Sequence, residues 1–531
     1  MASEMIIKLN APSMTSLHKA GLAGLYMTLE AFDKKQEGIK GLQWELEDKQ
    51  ITLHWTDDTP KSAFEEIVRK SFWIDDEGFV RFYGLEPRTE MSREQRYLLY
   101  KSILLSFFQF GGGKAPIRKT GKERPLIFQA DQDDKPYFEM NFAPFIHIHH
   151  QSLSKKFLDA NGQFNSEVEA KGWLYPGAVA KHESHKETIL NEPTSLGLIL
   201  IFAPVGVIYY LIKSRTKGHK YARKSKLALL IPEIKTLKTY SEVRQVIASQ
   251  GVIDLTASSS SDAALRMLIA LESNSSSNQF AKQMREDFLC RIITFGIVGW
   301  NEKQKSRTAT RTIVSGKLNG FENYHLADTI FKNKWQQVQE KRDRKGEITE
   351  PEHFFITTFC GREMIADNIA NNKSWYQSIS EFLANRETRE QLYYERKELA
   401  QMVKDATYET ENERIFIDVC HESWRRRMGK LGKRAAAENT SFSNLANKER
   451  EKIRTSLGRC KNAESLRETV IDFWSRAGSI DQLQGEGLSK ILPLFDEKNW
   501  RKAKDLALLA LISYQAPEEK IENNLETEGE Y

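Results

Sequence analysis

LGLILIFAPVGVIYYLI, running from Leu196 to Ile212, is seventeen residues without a charge and the one membrane candidate in the 531-residue chain. A spanning helix needs about 17–25 apolar residues, so the stretch stands at the short limit. Pro204 and Gly206 cut it into two runs rich in β-branched and aromatic residues, each of strand length. That pattern predicts two buried strands around an Ala203–Gly206 turn, in a protein folded in water with no membrane partner. A basic block follows at once: Lys213, Arg215, Lys217, Lys220, Arg223, Lys224 and Lys226, with no acid among them.

A second block lies near the other end. Between His421 and Lys461 stand twelve Lys or Arg residues, interrupted only by Glu422, Glu438, Glu449 and Glu451. The whole chain has 78 basic and 73 acidic side chains, a net of +5, so each block alone exceeds the net charge. Acids elsewhere must balance them, and the folded surface should carry separate positive and negative faces. Such faces are the electrostatic footprint of a polyphosphate binder, although like-charged blocks also occur on merely solvated helices. Tyr209, Tyr210 and Tyr221 flank the first block, and Trp424, Phe442 and Trp474 accompany the second. Rings beside cations can stack the bases of single strands. Trp424 and Trp474 fall on apolar helical stripes, however, and read better as core.

A chain of this length exceeds one ordinary core. A hydrophobic share of 40% with 10% aromatic is ample for globular folding. Cys290, Cys360, Cys420 and Cys460 lie far apart with no C-x-x-C pair, which excludes zinc-ribbon spacing and a dense disulfide framework. Met1–Lys8 turns polar before an apolar region develops, so no secretory signal is expected. Together these predict a reduced, cytoplasmic protein.

The expected fold class is α+β. A mixed α/β domain is expected over 1–236, a mainly helical region over 237–385, a helical bundle over 386–516 and an acidic disordered tail over 517–531. Met5–Asn10 reads as a strand, and Thr15 or Ser16 caps a helix through Phe32 whose Gly21 and Gly24 would let another element approach closely. Gln43–Trp55 reads as a hairpin, and Arg93–Phe108 as a helix leading into glycines. Strands are expected over Pro125–Gln129, Tyr137–Phe142 and Leu227–Ile231. The serine clusters Ser258–Ser261 and Ser273–Ser277 look like mobile loops, and Glu302–Lys317 looks loop-like. Glu413–Met428, Glu464–Trp474 and Trp500–Tyr514 carry amphipathic stripes that can cover one another. Within the first of these Arg425 points away from the stripe, while Arg427 falls back towards it.

Catalytic signals are weak. Gly111-Gly112-Gly113-Lys114 ends like a P-loop, but Phe108 occupies the first glycine position and Ala115 the hydroxyl position. What remains is a flexible basic loop, with Lys114, Arg118, Lys119, Lys122 and Arg124 against the single acid Glu123. His147, His149 and His150 cluster, and His182-Glu183-Ser184-His185 is one residue short of the zinc-protease helix H-E-x-x-H. Partly exposed, hydrogen-bonding histidines are the better reading. No cofactor and no metal are expected. A metal-dependent nuclease using these histidines is the alternative.

LHKAGLAGL from Leu17 to Leu25, GWLYPGAVAKH from Gly172 to His182, and the apolar pair with its basic loop and LALLIP from Leu227 to Pro232 together resemble a known family. That family is the large subunit of type I CRISPR surveillance complexes (Cascade), in the Myxan, I-B-like subtype. The resemblance implies a non-catalytic protein that recognises a protospacer-adjacent motif in target DNA and stabilises the R-loop. Implied partners are crRNA, double-stranded target DNA, the displaced single strand, and the backbone, 5′-handle-binding, crRNA-processing and small subunits. A recruited nuclease-helicase or Tn7-like transposition proteins would act downstream. Guide pairing reads the target in such systems, while protein reads a short motif. The resemblance also makes the C-terminal bundle similar to the small subunit, with Met402 as a candidate internal start in preference to Met428, which would cut a helix. Duplex and backbone contacts are expected from Gly111, Gly112, Gly113, Lys114, Arg118, Lys119, Lys122, Arg124, Lys213, Arg215, Lys217, Lys220, Arg223 and Lys224. Arg425, Arg426, Lys430, Lys433 and Arg434 are expected on the displaced strand or heteroduplex.

Overall fold

The computed structural model describes residues 3–86, 91–107, 117–119, 124–128, 138–170, 173–176, 190–214, 226–275, 277–299, 305–339, 341–343, 345–350 and 353–515. The acidic tail expected over 517–531 lies outside them. The chain divides into two compact units: Met1–Lys213, Lys224–Lys317 and Asn333–Thr357 form the first, and Ser214–Arg223, Leu318–Lys332 and Thr358–Tyr531 the second. The first holds both sheet and helix and the described part of the second is helical, the α+β composition expected.

The first unit opens with strand β1 (Ser3–Lys8) and helix α1 (Ser16–Lys34). Strands β2 (Leu42–Leu46) and β3 (Gln50–Trp55) form the expected hairpin, and β1 pairs antiparallel with β3. Thr15 caps α1 as expected, in a reciprocal box with His18: Thr15 Oγ1 accepts from the His18 amide, and His18 Nδ1 accepts from the Thr15 amide at 3.3 Å. That acceptor role puts the ring proton on Nε2, 3.6 Å from Glu192. Nearly every face of α1 is buried, Leu17 through Leu29 without interruption save Lys19.

The apolar stretch 196–212 departs from the two strands expected. Its first run is helix α2 (Thr194–Ile201), followed by a single helical turn, α3 (Ala203–Gly206), and only the second run is a strand, β4 (Ile208–Ile212). Periodicity cannot tell a short buried strand from a buried helix. What decides here is backbone contact with α1. A Cβ at Gly21 would stand 2.3 Å from the Ile199 carbonyl oxygen, at Gly24 2.1 Å from that of Phe202, and at Gly206 1.8 Å from that of Ala20. Pro204 sits in the first turn of α3, where a missing N–H costs nothing.

So short and deep a helix leaves carbonyls without intrahelical partners. Side chains supply them. Tyr209 Oη donates to Pro204 O (2.7 Å), and Trp173 Nε1 to Ile201 O (3.0 Å). Helix α4 (Leu237–Ala248) contributes Tyr240 Oη to Gly206 O (2.6 Å) and Arg244 Nε to Val205 O (3.2 Å). The buried Arg244 guanidinium has its pKa lowered by desolvation, yet a cation at a helix C-terminus is electrostatically well placed.

Strand β4 runs antiparallel to β5 (Lys226–Pro232), which confirms the strand expected over Leu227–Ile231. Beside them lie β6 (Thr256–Ala257), parallel to β4, and the antiparallel pair β7 (Phe288–Gly299) and β8 (Lys305–Gly316). The sheet order is β6-β4-β5-β7-β8. Covered on both faces, β4 and β5 are apolar almost throughout. β8 occupies the segment expected as a loop: a threonine-rich run at the sheet edge forms a strand despite its polar composition. Nor is the first serine cluster a mobile loop. Ser258 N and Oγ both donate to Asp262 Oδ2 (2.7 and 2.8 Å), and Ser259 caps α5 (Ser260–Glu272). Ser277, in the second cluster, is buried with its hydroxyl on Leu271 O.

In the second unit, α6 (Arg386–Tyr394) and α7 (Arg396–Asp405) precede the three expected amphipathic helices, α8 (Glu411–Ala437), α10 (Ala463–Ser475) and α11 (Trp500–Ser513). Between α8 and α10 stands α9 (Phe442–Arg459). Helix α11 is buried from Asp505 to Ser513 and touches α7, α8, α9 and α10, so it forms the bundle's centre. Trp424 and Trp474 fill this core, as expected, at 1% and 4% exposure. Met402 lies buried within α7, so a chain started there would cut a helix, the objection raised against Met428. Among the described residues no helix is long and apolar enough to cross a membrane.

The glycine contacts can be tested by adding a methyl group. Gly24→Ala or Gly206→Ala drives that methyl into backbone and should cost about 2–4 kcal/mol in denaturant unfolding. Gly429→Ala, with nothing within 4 Å of the new methyl, should stabilise by about 0.5–1 kcal/mol. Burial also pushes the His18 and His421 imidazoles down to about 4. Unfolded imidazole titrates near ~6.5, so protons bind the unfolded chain first. The two groups' stabilising effect is complete above that pH and is lost as the pH falls towards 4. Glu192, raised by burial, acts in the opposite sense at the acid end. Melting scans from pH 7 to 4.5 should show a falling midpoint, with a shallower slope in His421→Gln.

Candidate nucleic-acid interface

Helix α8 places Arg426, Lys430 and Lys433 on the face opposite its core stripe of Cys420, Trp424, Met428, Leu431 and Ala435. Most of the cations on this helix are already engaged. Arg425 makes a two-pronged contact with Glu422 at 2.7 Å, and Arg426 reaches the same carboxylate and the Ser479 carbonyl. Arg425, then Arg426, hold Glu422 down to about 2. Lys430 donates to Arg476 O (2.7 Å), and Arg434 pairs with Glu438 one turn on (2.9 Å). Arg427 turns inward as expected and pairs with the largely buried Glu449 at 2.8 Å. Lys433 alone of the five expected contacts on this helix is exposed with neither an ion-pair nor a hydrogen-bond partner among the described residues.

The neighbouring α9 carries cations that sequence reasoning did not single out. Its acids are also drawn in: Glu449 by Arg427, and Glu451 by Arg454 (2.9 Å) and the Tyr393 hydroxyl (2.9 Å). Lys448, Lys452 and Arg459, spaced i, i+4 and i+11, therefore share an exposed face opposite Ala446 and Leu457. Lys461 follows the helix end, also exposed. None of the four has an ion-pair partner among the described residues. Part of the signal is present in the sequence: three cations at helical spacing with a fourth just beyond the helix, and Glu422, Glu438 and Glu451 each three or four residues from an arginine on the same helix.

Of the other expected contacts, Lys213 follows β4, half-buried, with Nζ 3.4 Å from Ile356 O. The basic block beyond it joins β4 to β5, whose ends are paired at Ile212 and Lys226. Arg215, Lys217, Lys220, Arg223 and Lys224 lie outside the described residues, as do Gly111, Gly112, Gly113, Lys114 and Lys122. Arg118 and Lys119 belong to strand Ile117–Lys119, where Arg118 pairs with His147, and Arg124 begins strand Arg124–Phe128. The rings of His147 and His149 stand 4.5 Å apart, and His150 Nε2 bonds Phe72 O at 2.8 Å. His182 and His185 lie outside the described residues. Among those described, no three His, Cys, Asp or Glu gather as a metal site. All four cysteines are free and buried, and burial pushes the Cys290 and Cys420 thiols up to about 12.

Two family models match this chain: the DevT N-terminal domain over residues 6–201 and the DevT C-terminal domain over 404–530. Together they span more than half of it. The chain belongs to the DevT family. It is also 25% identical to CRISPR-associated protein Cas8a1/Csx13 of Myxococcus xanthus (strain DK1622), over 97% of this chain and 89% of that protein. These matches bear out the resemblance to a CRISPR large subunit. The DevT N-terminal domain takes in α1 and α2, and the DevT C-terminal domain the whole basic bundle from α8 to α11. The segments that carried the resemblance meet in one place. His18 packs edge-on to Tyr175 (6.3 Å between ring centroids), Tyr175 donates to Glu192 (3.1 Å), and α1 meets Ile199 and Phe202 through its glycines. In this DevT protein the fingerprint is thus a packing solution.

If the α9 face is free and the inward pairs are structural, substitutions should separate cleanly. The triple change Lys448→Gln, Lys452→Gln, Arg459→Gln should leave unfolding free energy within about 0.5 kcal/mol. Glu449→Gln, which strips Arg427 of its carboxylate, should cost about 1–3 kcal/mol. Urea titrations followed by tryptophan fluorescence measure both.

Proposed function

We propose that this DevT-family chain is the non-catalytic large subunit of a crRNA-guided type I surveillance complex, of I-B-like kind, acting in the cytoplasm. It recognises a protospacer-adjacent motif in target DNA and stabilises the R-loop. The observation that carries the reading is the uncompensated row Lys448, Lys452, Arg459 and Lys461, left outward because every acid of the block is held by an arginine. Such a row suits sequence-independent contact with phosphates. The basic segments 111–124 and 213–226 are assigned to the duplex and its motif. The Cascade backbone, 5′-handle-binding, crRNA-processing and small subunits are the protein partners, with a nuclease-helicase or Tn7-like transposition proteins recruited after target recognition.

The test uses the assembled complex with its guide. Target binding should weaken as salt rises. The α9 triple variant should flatten that dependence by about 0.7 for each single-strand phosphate it no longer neutralises. Its preference among adjacent motifs should not change. Substitutions in 213–226 that touch the motif should instead lose discrimination at one base position. A purified assembly without guide RNA, or one that ignores target DNA at low salt, contradicts the proposal. So does histidine-dependent DNA cleavage by the chain itself.

A further inference from the structure

A cleft of about 400 Å³ opens in the second unit between the end of α6, the start of α7 and the middle of α9. That volume lies within the ~300–1,000 Å³ typical of small-ligand sites. Its walls are unusual in charge. Glu390 is engaged by Arg386 (2.8 Å), and Glu451 by Arg454 and the Tyr393 hydroxyl. The two arginines facing the cleft have no such relief. Arg396 has no ion-pair partner among the described residues. Arg450 donates to Asn447 Oδ1 (3.1 Å), while its Nε is buried with no acceptor. Its guanidinium lies over Tyr393 and Trp424, 5.8 and 5.9 Å from the ring centres, which fixes its plane.

The arginines burden one another. Burial, and next the charge of Arg396, lower the Arg450 pKa. Arg396 is also the first residue of α7, where the helix dipole is positive and a cation is misplaced. An anion between them would relieve all three penalties. At the mouth stands Tyr394, 84% exposed, a flat ring turned to solvent. Asn447 and Glu451, on the cleft wall, are followed in the chain by Lys448 and Lys452, two of the outward cations of α9.

We propose that this cleft takes a single extruded nucleotide of a DNA strand, its phosphate held by Arg396 and Arg450 and its base stacked on Tyr394. The inference rests on the R-loop reading above and narrows it: the displaced strand follows the α9 cations and turns one nucleotide into the cleft. Aromatic stacking tolerates any base, so the site anchors the strand without reading its sequence.

The experiment uses the guide-loaded complex on target duplexes carrying 2-aminopurine at successive displaced-strand positions, with permanganate reactivity reporting R-loop opening. One position should be quenched by stacking. Tyr394→Ala, at an exposed site with little folding consequence, should restore its fluorescence and speed loss of the displaced strand about 5-fold or more. Arg396→Gln should do the same more weakly and reduce the salt dependence. If the R-loop opens but no position differs among parent, Tyr394→Ala and Arg396→Gln, the cleft is not a nucleotide site, although the broader reading stands. If no R-loop opens in the parent, both fail.

Discussion

Three glycines set the geometry of the first unit. Gly21, Gly24 and Gly206 allow α1 to lie backbone against backbone on the α2–α3 segment, with no side chain between them. Contact that close leaves no room for water, so the carbonyls ending α2 and α3 need other donors. Trp173, Tyr209, Tyr240 and Arg244 arrive from a loop, a strand and a helix to provide them. The same donors therefore tie the helical layer to β4 and α4. Strand β4 leads directly into the basic connection to β5, so the close-packed core fixes both anchor points of that connection.

In the second unit the governing constraint is electrostatic. A bundle with twelve cations between residues 421 and 461 would repel itself if all faced one way. The four acids in that span are paired on or between the helices, and most arginines are used with them. Lysines, with Arg459, remain outside. This division matches the chemistry of the two side chains, because the guanidinium suits fixed two-pronged pairs and the ammonium suits mobile contact with phosphate. The repulsive Arg396–Arg450 pair is the exception, and it sits where a cleft is open to an anion.

Much of the fold is legible residue by residue. Thr15 as a cap, Gly21 and Gly24 as close-approach positions, the Gln43–Trp55 hairpin and the stripes of α8, α10 and α11 all depend on local spacing, which sequence displays directly. Expectation and structure part where the deciding group lies elsewhere in the fold. Helix α2 reads as a strand because its all-apolar run fits either period, and only α1 decides between them. β8 reads as a loop because its polar side chains hide a strand whose partner, β7, supplies the ladder. Ser258–Ser261 reads as mobile because serine composition does not reveal Asp262 as an internal acceptor.

For the interface, the charge blocks and the local spacing of Glu422, Glu438 and Glu451 to arginines are visible in the sequence, but the interhelical Arg427–Glu449 pair and the carbonyl contacts of Arg426 and Lys430 are not. Arg425, Arg426, Lys430 and Arg434 read as free contacts, yet each has a partner within the bundle. Lys448, Lys452 and Arg459 look like any other cations of the block until their neighbours are known. Sequence alone determined the composition, the caps, the helical periodicities and the family fingerprint, since these are properties of neighbours along the chain. Which apolar run coils into a helix, which cations stay outward, and that Tyr394, Arg396 and Arg450 share one cleft were decided only by tertiary structure. Close packing and interhelical contacts such as Arg427–Glu449 act between residues that sequence order keeps apart.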